Sequence, residues 1–223
     1  MKNKYILIEW IGVLIFLVLP PLLVNPGSSA TIANNGEFSP YIFLRLIIAI
    51  FLYCQQIYVI KKSLGDKADR FRRLVLFCTW SALCLGLLMI VQVLIQALAM
   101  VFPVNHEEIG FSSTFTALNY ILLFINLFAG AFYEEVIYRE FLPETLLLFT
   151  GERKIPGIIA ESSCILIFAL SHRYLGLMAV INALLGGIIL RVCRKKSLSI
   201  WAGTAAHFLY NAILLLFAIL GKN

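Results

Sequence analysis

The sequence predicts an all-α membrane protein, a polytopic helical bundle of about seven transmembrane helices, and composition is the first reason. Of the 223 residues, 61% are hydrophobic and only 13% are charged, and the mean hydropathy is +0.92. A soluble domain of this size carries about 25% charged residues. Apolar runs of about 20 residues, the length that crosses a bilayer, recur along the whole chain.

Each apolar run predicts one helix. The seven predicted helices span residues 5–24, 41–60, 74–102, 114–142, 156–172, 175–193 and 198–220. The first run is too long for the apolar part of a signal peptide, so it is expected to be retained. The fourth is expected to end near Pro143, because proline removes a backbone hydrogen bond and clashes with the preceding turn. One integral membrane domain is predicted, with helices 1–3 in residues 1–113 and helices 4–7 in residues 114–223.

Lysine and arginine are concentrated in alternate connections, and this sets the predicted orientation. They precede helix 1 or fall between helices 2 and 3, 4 and 5, and 6 and 7: Lys2, Lys4, Lys61, Lys62, Lys67, Arg70, Arg72, Arg73, Arg153, Lys154, Arg191, Arg194, Lys195 and Lys196. The connections 25–40 and 103–110 contain none. By the positive-inside rule, the N-terminus is predicted to be cytoplasmic and the C-terminus outside. The net charge of +6 therefore does not indicate a nucleic-acid partner.

The cysteines predict neither a disulfide framework nor a thiolate metal site. The five are scattered in or beside apolar segments and form no CxxC pair: Cys54, Cys78, Cys84, Cys164 and Cys193. We expect them to be ordinary core residues.

Ionisable side chains inside an apolar helix are costly, so the few present here are candidate functional residues. The segment FYEEVIYRE, residues 132–140, places Glu134, Glu135 and Arg139 in the fourth helix. Glu135 and Arg139 are four residues apart and can pair on one face. Glu134 is rotated by about 100° from Glu135, so it can point into a cavity as a free carboxylate. Taken alone, this motif fits a catalytic site and a purely stabilising charge network equally well.

Two further motifs lie in later helices. FALSH places Phe168 and His172 four residues apart, and HFLYN places His207 and Asn211 four residues apart. Together with Glu134, these are the groups needed to activate water and to stabilise an oxyanion. Glu134 is predicted to take a proton from a water molecule held by His172. His207 and Asn211 are predicted to donate hydrogen bonds to the oxygen of the tetrahedral intermediate.

Other hydrolytic sites do not fit the sequence. A zinc protease of the HExxH type needs a second histidine, which the HEEIG segment at His106 lacks. An aspartyl intramembrane protease needs two membrane aspartates, but Asp66 and Asp69 lie in a basic connection. The Gly-x-Ser sequences at Gly27 and Gly110 fall in predicted loops, which disfavours a serine site buried in a helix.

The three motifs together resemble those of the CPBP family, which includes type II CAAX prenyl proteases and bacteriocin-processing or self-immunity (Abi) membrane proteins. EEVIYR fits EExxxR, FALSH fits FxxxH and HFLYN fits HxxxN, in the same order, within about residues 120–220. The resemblance implies a glutamate-dependent intramembrane endopeptidase that acts on a membrane-associated peptide or protein. Carried over by position, the catalytic residues are Glu134, His172, His207 and Asn211, and the supporting residues are Glu135, Arg139 and Phe168.

The resemblance leaves two alternatives open. No cofactor is expected, but histidine and carboxylate are ordinary zinc ligands, so a divalent metal such as zinc on Glu134, His172 and His207 is the alternative. The alternative function is a non-catalytic Abi-type bacteriocin immunity protein or membrane scaffold. A transporter is not supported, because no inverted repeat or pair of broken helices is visible in the sequence.

Two features depart from the pattern that the resemblance implies. Glu140 follows the arginine, where many family members have a small residue. In addition, if helix 5 begins near residue 156, His172 lies about 25 Å from the level of Glu134 and His207, at 1.5 Å per residue. Because the motifs require these residues to lie close together, we expect the predicted helix boundaries, and not the motif assignment, to be wrong.

Overall fold

The computed structural model describes residues 2–24, 40–63, 70–101, 116–150 and 154–220, which are almost entirely helical. Seven helical stretches occupy these ranges, in agreement with the prediction. The connections 25–39, 64–69, 102–115 and 151–153 lie outside the described residues. Most of the connections without Lys or Arg fall there, as do the loop aspartates, the HEEIG segment and the Gly-x-Ser sequences. The orientation in the membrane therefore stays a prediction.

Two of the seven stretches contain a π-helical segment. The first consists of α1 (Lys2–Val13), the π segment Leu14–Val18 and α2 (Leu19–Leu23). The fourth consists of α5 (Ala117–Glu134), the π segment Glu135–Phe141 and α6 (Leu142–Thr150). The other stretches are α3 (Pro40–Ser63), α4 (Arg70–Val101), α7 (Lys154–Leu170), α8 (Leu177–Ser197) and α9 (Ile200–Leu220), with a 3-10 turn at Arg173–Leu175 before α8.

The lengths and hydropathy of these helices fit a membrane protein. Within the described ranges, five helices are long and apolar enough to cross a membrane: Tyr5–Leu23, Arg70–Val101, Ala117–Phe149, Leu177–Ser197 and Ile200–Leu220. Two further apolar helices, Tyr41–Gln55 and Ile155–Leu170, are shorter. The chain is an all-α polytopic membrane protein, as predicted.

The helix that carries the glutamates does not end at Pro143, contrary to the prediction. The α-helical hydrogen bond that a proline cannot make would go to the carbonyl of Arg139, four residues earlier. That carbonyl instead accepts a hydrogen bond from Nη1 of Arg191 on α8, at 2.5 Å. Pro143 also follows a π segment, in which the N–H of Leu142 bonds to the carbonyl of Ile137, five residues earlier. The wider turn and the arginine together compensate for the missing bond, so the helix continues.

The extended helix and α7 form an antiparallel hairpin that sets the position of His172. A Cβ on Gly157, near the start of α7, would lie 3.3 Å from Leu147 of α6. Near the end of α7, the ring of Phe168 lies against Arg139 of the π segment. Because the two helices run in opposite directions, His172 at the end of α7 lies at the same height in the bundle as Glu134 and Glu135. The expected separation of about 25 Å is wrong, because the ring of Phe168 contacts both Arg139 and His172. The fourth helix continues past Pro143 to Thr150, so α7 begins beyond the glutamates and runs back towards them.

Adjacent glycines on α8 allow two neighbouring helices to approach closely. A Cβ on Gly186 would lie 3.3 Å from Leu88 of α4, and a Cβ on Gly187 would lie 3.2 Å from Ile165 of α7. Small residues have this use in membrane bundles, where close van der Waals packing drives helix association. The packing holds α4, α7, α8 and α9 around one cavity.

Candidate active site

His207 of α9 contacts both glutamates of the fourth helix. Its Nδ1 atom lies 3.1 Å from Oε1 of Glu135, which is 0% exposed. Its Nε2 atom lies 3.8 Å from Oε2 of Glu134, whose side chain is 22% exposed. Glu135 is therefore buried and hydrogen-bonded, whereas Glu134 is partly accessible and beyond hydrogen-bond distance of the histidine. The different rotation of the two residues on the helix predicts this difference in environment.

Gly203 allows α9 to come this close to the buried glutamate. A Cβ at this position would lie 2.7 Å from Oε2 of Glu135, closer than real Cβ contacts come. Gly203 and His207 are four residues apart, so they share the face of α9 that meets the glutamates. Sequence analysis did not single out Gly203. The available signal was a glycine one turn before the histidine of the HxxxN motif.

Arg139 is held between Glu135 and an aromatic ring. Its Nε atom lies 3.5 Å from Oε1 of Glu135, the same oxygen that His207 contacts. Its guanidinium carbon lies 3.8 Å from the centroid of the Phe168 ring, which is a cation–π contact. The ring of Phe168 also meets the ring of His172, with 4.8 Å between centroids. Phe168 therefore links the arginine of the first motif to the histidine of the second.

Arg45 of α3 brings a positive charge to the side of the site occupied by Glu134. Its guanidinium carbon lies 4.0 Å from the centroid of the Tyr41 ring and 4.9 Å from that of Tyr133, the neighbour of Glu134. The charges of Arg45 and Glu134 are close enough to interact. Sequence analysis did not assign Arg45 to the site. The only sequence feature that pointed to Arg45 was its position as an isolated arginine in an apolar helix.

His172 lies in the turn that follows the last residue of α7, and one of its ring nitrogens is fixed. Its Nδ1 atom lies 3.0 Å from the backbone carbonyl oxygen of Phe168. A carbonyl oxygen only accepts hydrogen bonds, so this contact places the proton on Nδ1. The neutral ring then keeps a lone pair on Nε2, which can accept a hydrogen bond from water.

Three of the predicted catalytic residues, His172, His207 and Asn211, line one cavity of about 190 Å³. The remaining lining residues are mostly apolar: Leu88, Phe168, Leu175, Ala179, Asn182, Ala183, Gly186, Leu190, Tyr210 and Leu214. Glu134 does not line this cavity. It faces Nε2 of His207 instead, so His207 is the residue that connects Glu134 to the other two.

Glu134, His172 and His207 are the ligands that the zinc alternative would use. In the part of the chain that the structure describes, no group of three His, Cys, Asp or Glu side chains could hold a metal ion. The Nδ1 atoms of His172 and His207 are engaged by the Phe168 carbonyl and by Glu135, which leaves Nε2 of each ring as the nitrogen that could bind a metal. The cofactor-free site and the zinc alternative both stay predictions.

Glu140, the departure from the family pattern, pairs with Arg194 of α8. Both carboxylate oxygens accept from the guanidinium, and the Nη2–Oε1 distance is 2.6 Å. One turn earlier, Arg191 donates to the carbonyl of Arg139 and to Oε1 of Glu161, the latter at 2.8 Å. Sequence analysis assigned both arginines to the connection after helix 6. They lie inside α8 instead, and they attach it to the end of the π segment.

A comparison with protein families supports the motif assignment. Residues 115–213, just under half of the chain, match the family model of the type II CAAX prenyl endopeptidase Rce1-like proteins. The match includes all three motifs and therefore every residue that the motifs assign to the site. Neither a curated protein nor a solved structure gives a match. The match supports membership of the CPBP family and, at the level of that family, an intramembrane protease of the CAAX type.

Proposed function

We propose that this protein is an endopeptidase that hydrolyses a peptide bond of a membrane-associated peptide or protein with a glutamate-activated water molecule. One observation carries the proposal, namely that His207 contacts both glutamates and lines the same cavity as His172 and Asn211. This arrangement places a water-binding group and hydrogen-bond donors on one cavity and a base, Glu134, beside His207 at its edge.

Glu134 is the proposed general base. Its side chain is partly accessible, so water can reach it, whereas Glu135 is enclosed. Glu134 takes a proton from the water molecule while the water oxygen bonds to the carbonyl carbon of the substrate. It then gives that proton to the departing amine nitrogen as the carbon–nitrogen bond breaks. The lone pair on Nε2 of His172 accepts the second hydrogen of the water and orients it.

His207 and Asn211 are the proposed oxyanion donors. Asn211 offers its side-chain N–H groups. Nδ1 of His207 donates to the Glu135 carboxylate, so Nε2 can donate to an oxyanion only when both ring nitrogens are protonated. Carboxylates lie 3.1 Å and 3.8 Å from the two ring nitrogens, so the charge of this form is balanced within the site. Glu135 and Arg139 thus act as positioning residues.

The lipid bilayer and a membrane-associated substrate are the proposed partners. The site residues come from helices whose outer surfaces are rich in exposed apolar side chains, as expected for contact with lipid. A substrate held at the membrane would reach the cavity without leaving the bilayer. We place the N-terminus in the cytoplasm and the C-terminus outside, on the positive-inside rule.

Cleavage by the purified full-length protein in liposomes tests the proposal. The substrate is a library of membrane-anchored peptides, and mass spectrometry identifies the products. We expect the wild type to release products and Glu134→Ala to release none. Glu144→Ala is the matched control, because Glu144 is 47% exposed and lies away from His207, 3.4 Å from Arg191.

Two outcomes would contradict the proposal. The first is an absence of products from the wild type, which the non-catalytic immunity or scaffold alternative predicts. The second is equal cleavage by the wild type and Glu134→Ala at matched membrane abundance. In that case a different residue would have to activate the water.

A further inference from the structure

One wall of the cavity carries an uncharged hydrogen-bonding cluster that the proposed mechanism does not use. It consists of Gln92 of α4, Asn182 of α8 and Tyr210 of α9. Nδ2 of Asn182 donates to Oε1 of Gln92 at 3.1 Å and to the hydroxyl of Tyr210 at 2.8 Å. The hydroxyl of Tyr210 donates to Oε1 of Gln92 at 2.6 Å. Asn182 and Tyr210 line the cavity that also contains His172, His207 and Asn211.

A count of donors and acceptors shows what this cluster can still bind. The three bonds use both donors of Asn182, both acceptor positions on the Gln92 oxygen, and the donor and one acceptor of Tyr210. The Asn182 oxygen and the Gln92 NH₂ group take no part in these bonds. Asn182 and Tyr210 line the cavity and Gln92 does not, so the cluster can offer two acceptors there, the Asn182 oxygen and the second lone pair of the Tyr210 hydroxyl. The NH₂ group of a carboxamide can donate to both.

The rest of the cavity favours an uncharged group of limited size. No Asp, Glu, Lys or Arg is among its lining residues, and the charge that the mechanism places on His207 is already balanced by Glu134 and Glu135, so a charged side chain would find no free ionic partner. Apolar residues form most of the wall, and their side chains can contact methylene groups. The volume of about 190 Å³ compares with about 150 Å³ for a cavity that binds benzene. One amino-acid side chain fits such a space.

We propose that Asn182 and Tyr210, held together by Gln92, form a substrate subsite that selects a carboxamide side chain, glutamine or asparagine, next to the scissile bond. The Asn182 oxygen and the Tyr210 hydroxyl oxygen accept from the N–H groups of the substrate amide. The inference rests on the proposed function, because it places the subsite beside the proposed catalytic residues. Gln92 lies outside residues 115–213, so the family match does not include it.

Substrate preference in the liposome assay tests the subsite. Membrane-anchored peptides that differ only in having Gln, Leu or Glu at one position beside the cleaved bond are compared by kcat/KM. We expect the wild type to prefer Gln by about tenfold or more, since one hydrogen bond to an otherwise unpaired polar group is at stake. Asn182→Leu should abolish or reverse the preference for Gln over Leu. Gln96→Leu, at an exposed position of α4 one turn after Gln92, is the control and should keep it.

A binding measurement separates failure of the subsite from failure of the proposed function. Capped tripeptides with a central Gln, Leu or Glu are added to full-length Glu134→Ala protein, and the shift in Tm is recorded. We expect the largest shift for Gln, and loss of this difference when Asn182→Leu or the milder Tyr210→Phe is added. If the wild type cleaves nothing but the Gln tripeptide still gives the largest shift, only the proposed function fails. If peptides are cleaved and neither assay shows an advantage for Gln, or Asn182→Leu retains it, the subsite is refuted.

Discussion

Gly203 is the position where one added methyl group most sharply perturbs the arrangement of His207 and Glu135. A Cβ there would lie 2.7 Å from Oε2 of Glu135, whereas ordinary van der Waals contact begins at 3.4 Å. The oxygen would therefore have to move by the difference, 0.7 Å. The side chain of Glu135 is fully buried and has little room to move. The shift reaches His207 through its hydrogen bond to the same carboxylate. A misplacement of about 1 Å can cost roughly 10²-fold in rate, so we expect Gly203→Ala to lower kcat by roughly 10- to 100-fold.

Turnover in liposomes at matched protein abundance, together with Tm, is the assay for this variant. Replacing a helical glycine by alanine stabilises by about 1 kcal/mol, whereas overpacking costs about 1–3 kcal/mol. The free energy of unfolding should therefore fall by only about 0–2 kcal/mol. Gly86→Ala is the control, because a Cβ on Gly86 meets nothing within 4 Å, and it should keep full activity. Wild-type turnover of Gly203→Ala would refute the idea that close contact with Glu135 positions His207.

The oxyanion donors, the buried ion pair and the orientation each allow a separate test. His207→Ala and Asn211→Ala should each lower kcat by roughly 10²–10³-fold in steady-state cleavage, and unchanged turnover would exclude an oxyanion role. Arg139→Leu should lower the free energy of unfolding by about 3–5 kcal/mol in thermal or denaturant unfolding, because it removes the arginine charge beside the buried Glu135. Unchanged stability would show that this pair is not needed. Cysteines placed at the two termini should react with an impermeant reagent only at the C-terminus of intact cells, and the opposite pattern would contradict the positive-inside prediction.

The number of helices could be predicted from the sequence, whereas one helix end could not. Long apolar runs determine the helices, because backbone groups in a bilayer must be satisfied within the segment. Pro143 was expected to end the fourth helix on local grounds. The helix continues because Arg191, 52 residues away from Arg139 in the chain, satisfies the carbonyl that the proline leaves without a partner. A compensation by a distant residue is not visible in the local sequence.

Contacts between site residues close in sequence could likewise be predicted, whereas contacts between distant residues could not. Spacing of four residues predicted that Glu135 lies beside Arg139, and the structure places Nε of Arg139 3.5 Å from Oε1 of Glu135. The contact between Glu135 and His207 joins residues 72 positions apart, and sequence analysis did not predict it. Gly203 and Gln92 belong to no motif, because their importance comes from what α9 and α4 are packed against.

The division of roles between the two adjacent glutamates is the central claim, and Glu134→Gln beside Glu135→Gln tests it most directly. Both substitutions keep the size of the side chain and remove its charge, and kcat and Tm are measured for each. We predict that Glu134→Gln abolishes cleavage and keeps a Tm close to that of the wild type. Glu135→Gln should lower Tm strongly, because Arg139 loses its buried partner. Wild-type turnover by Glu134→Gln at matched membrane abundance would contradict the claim.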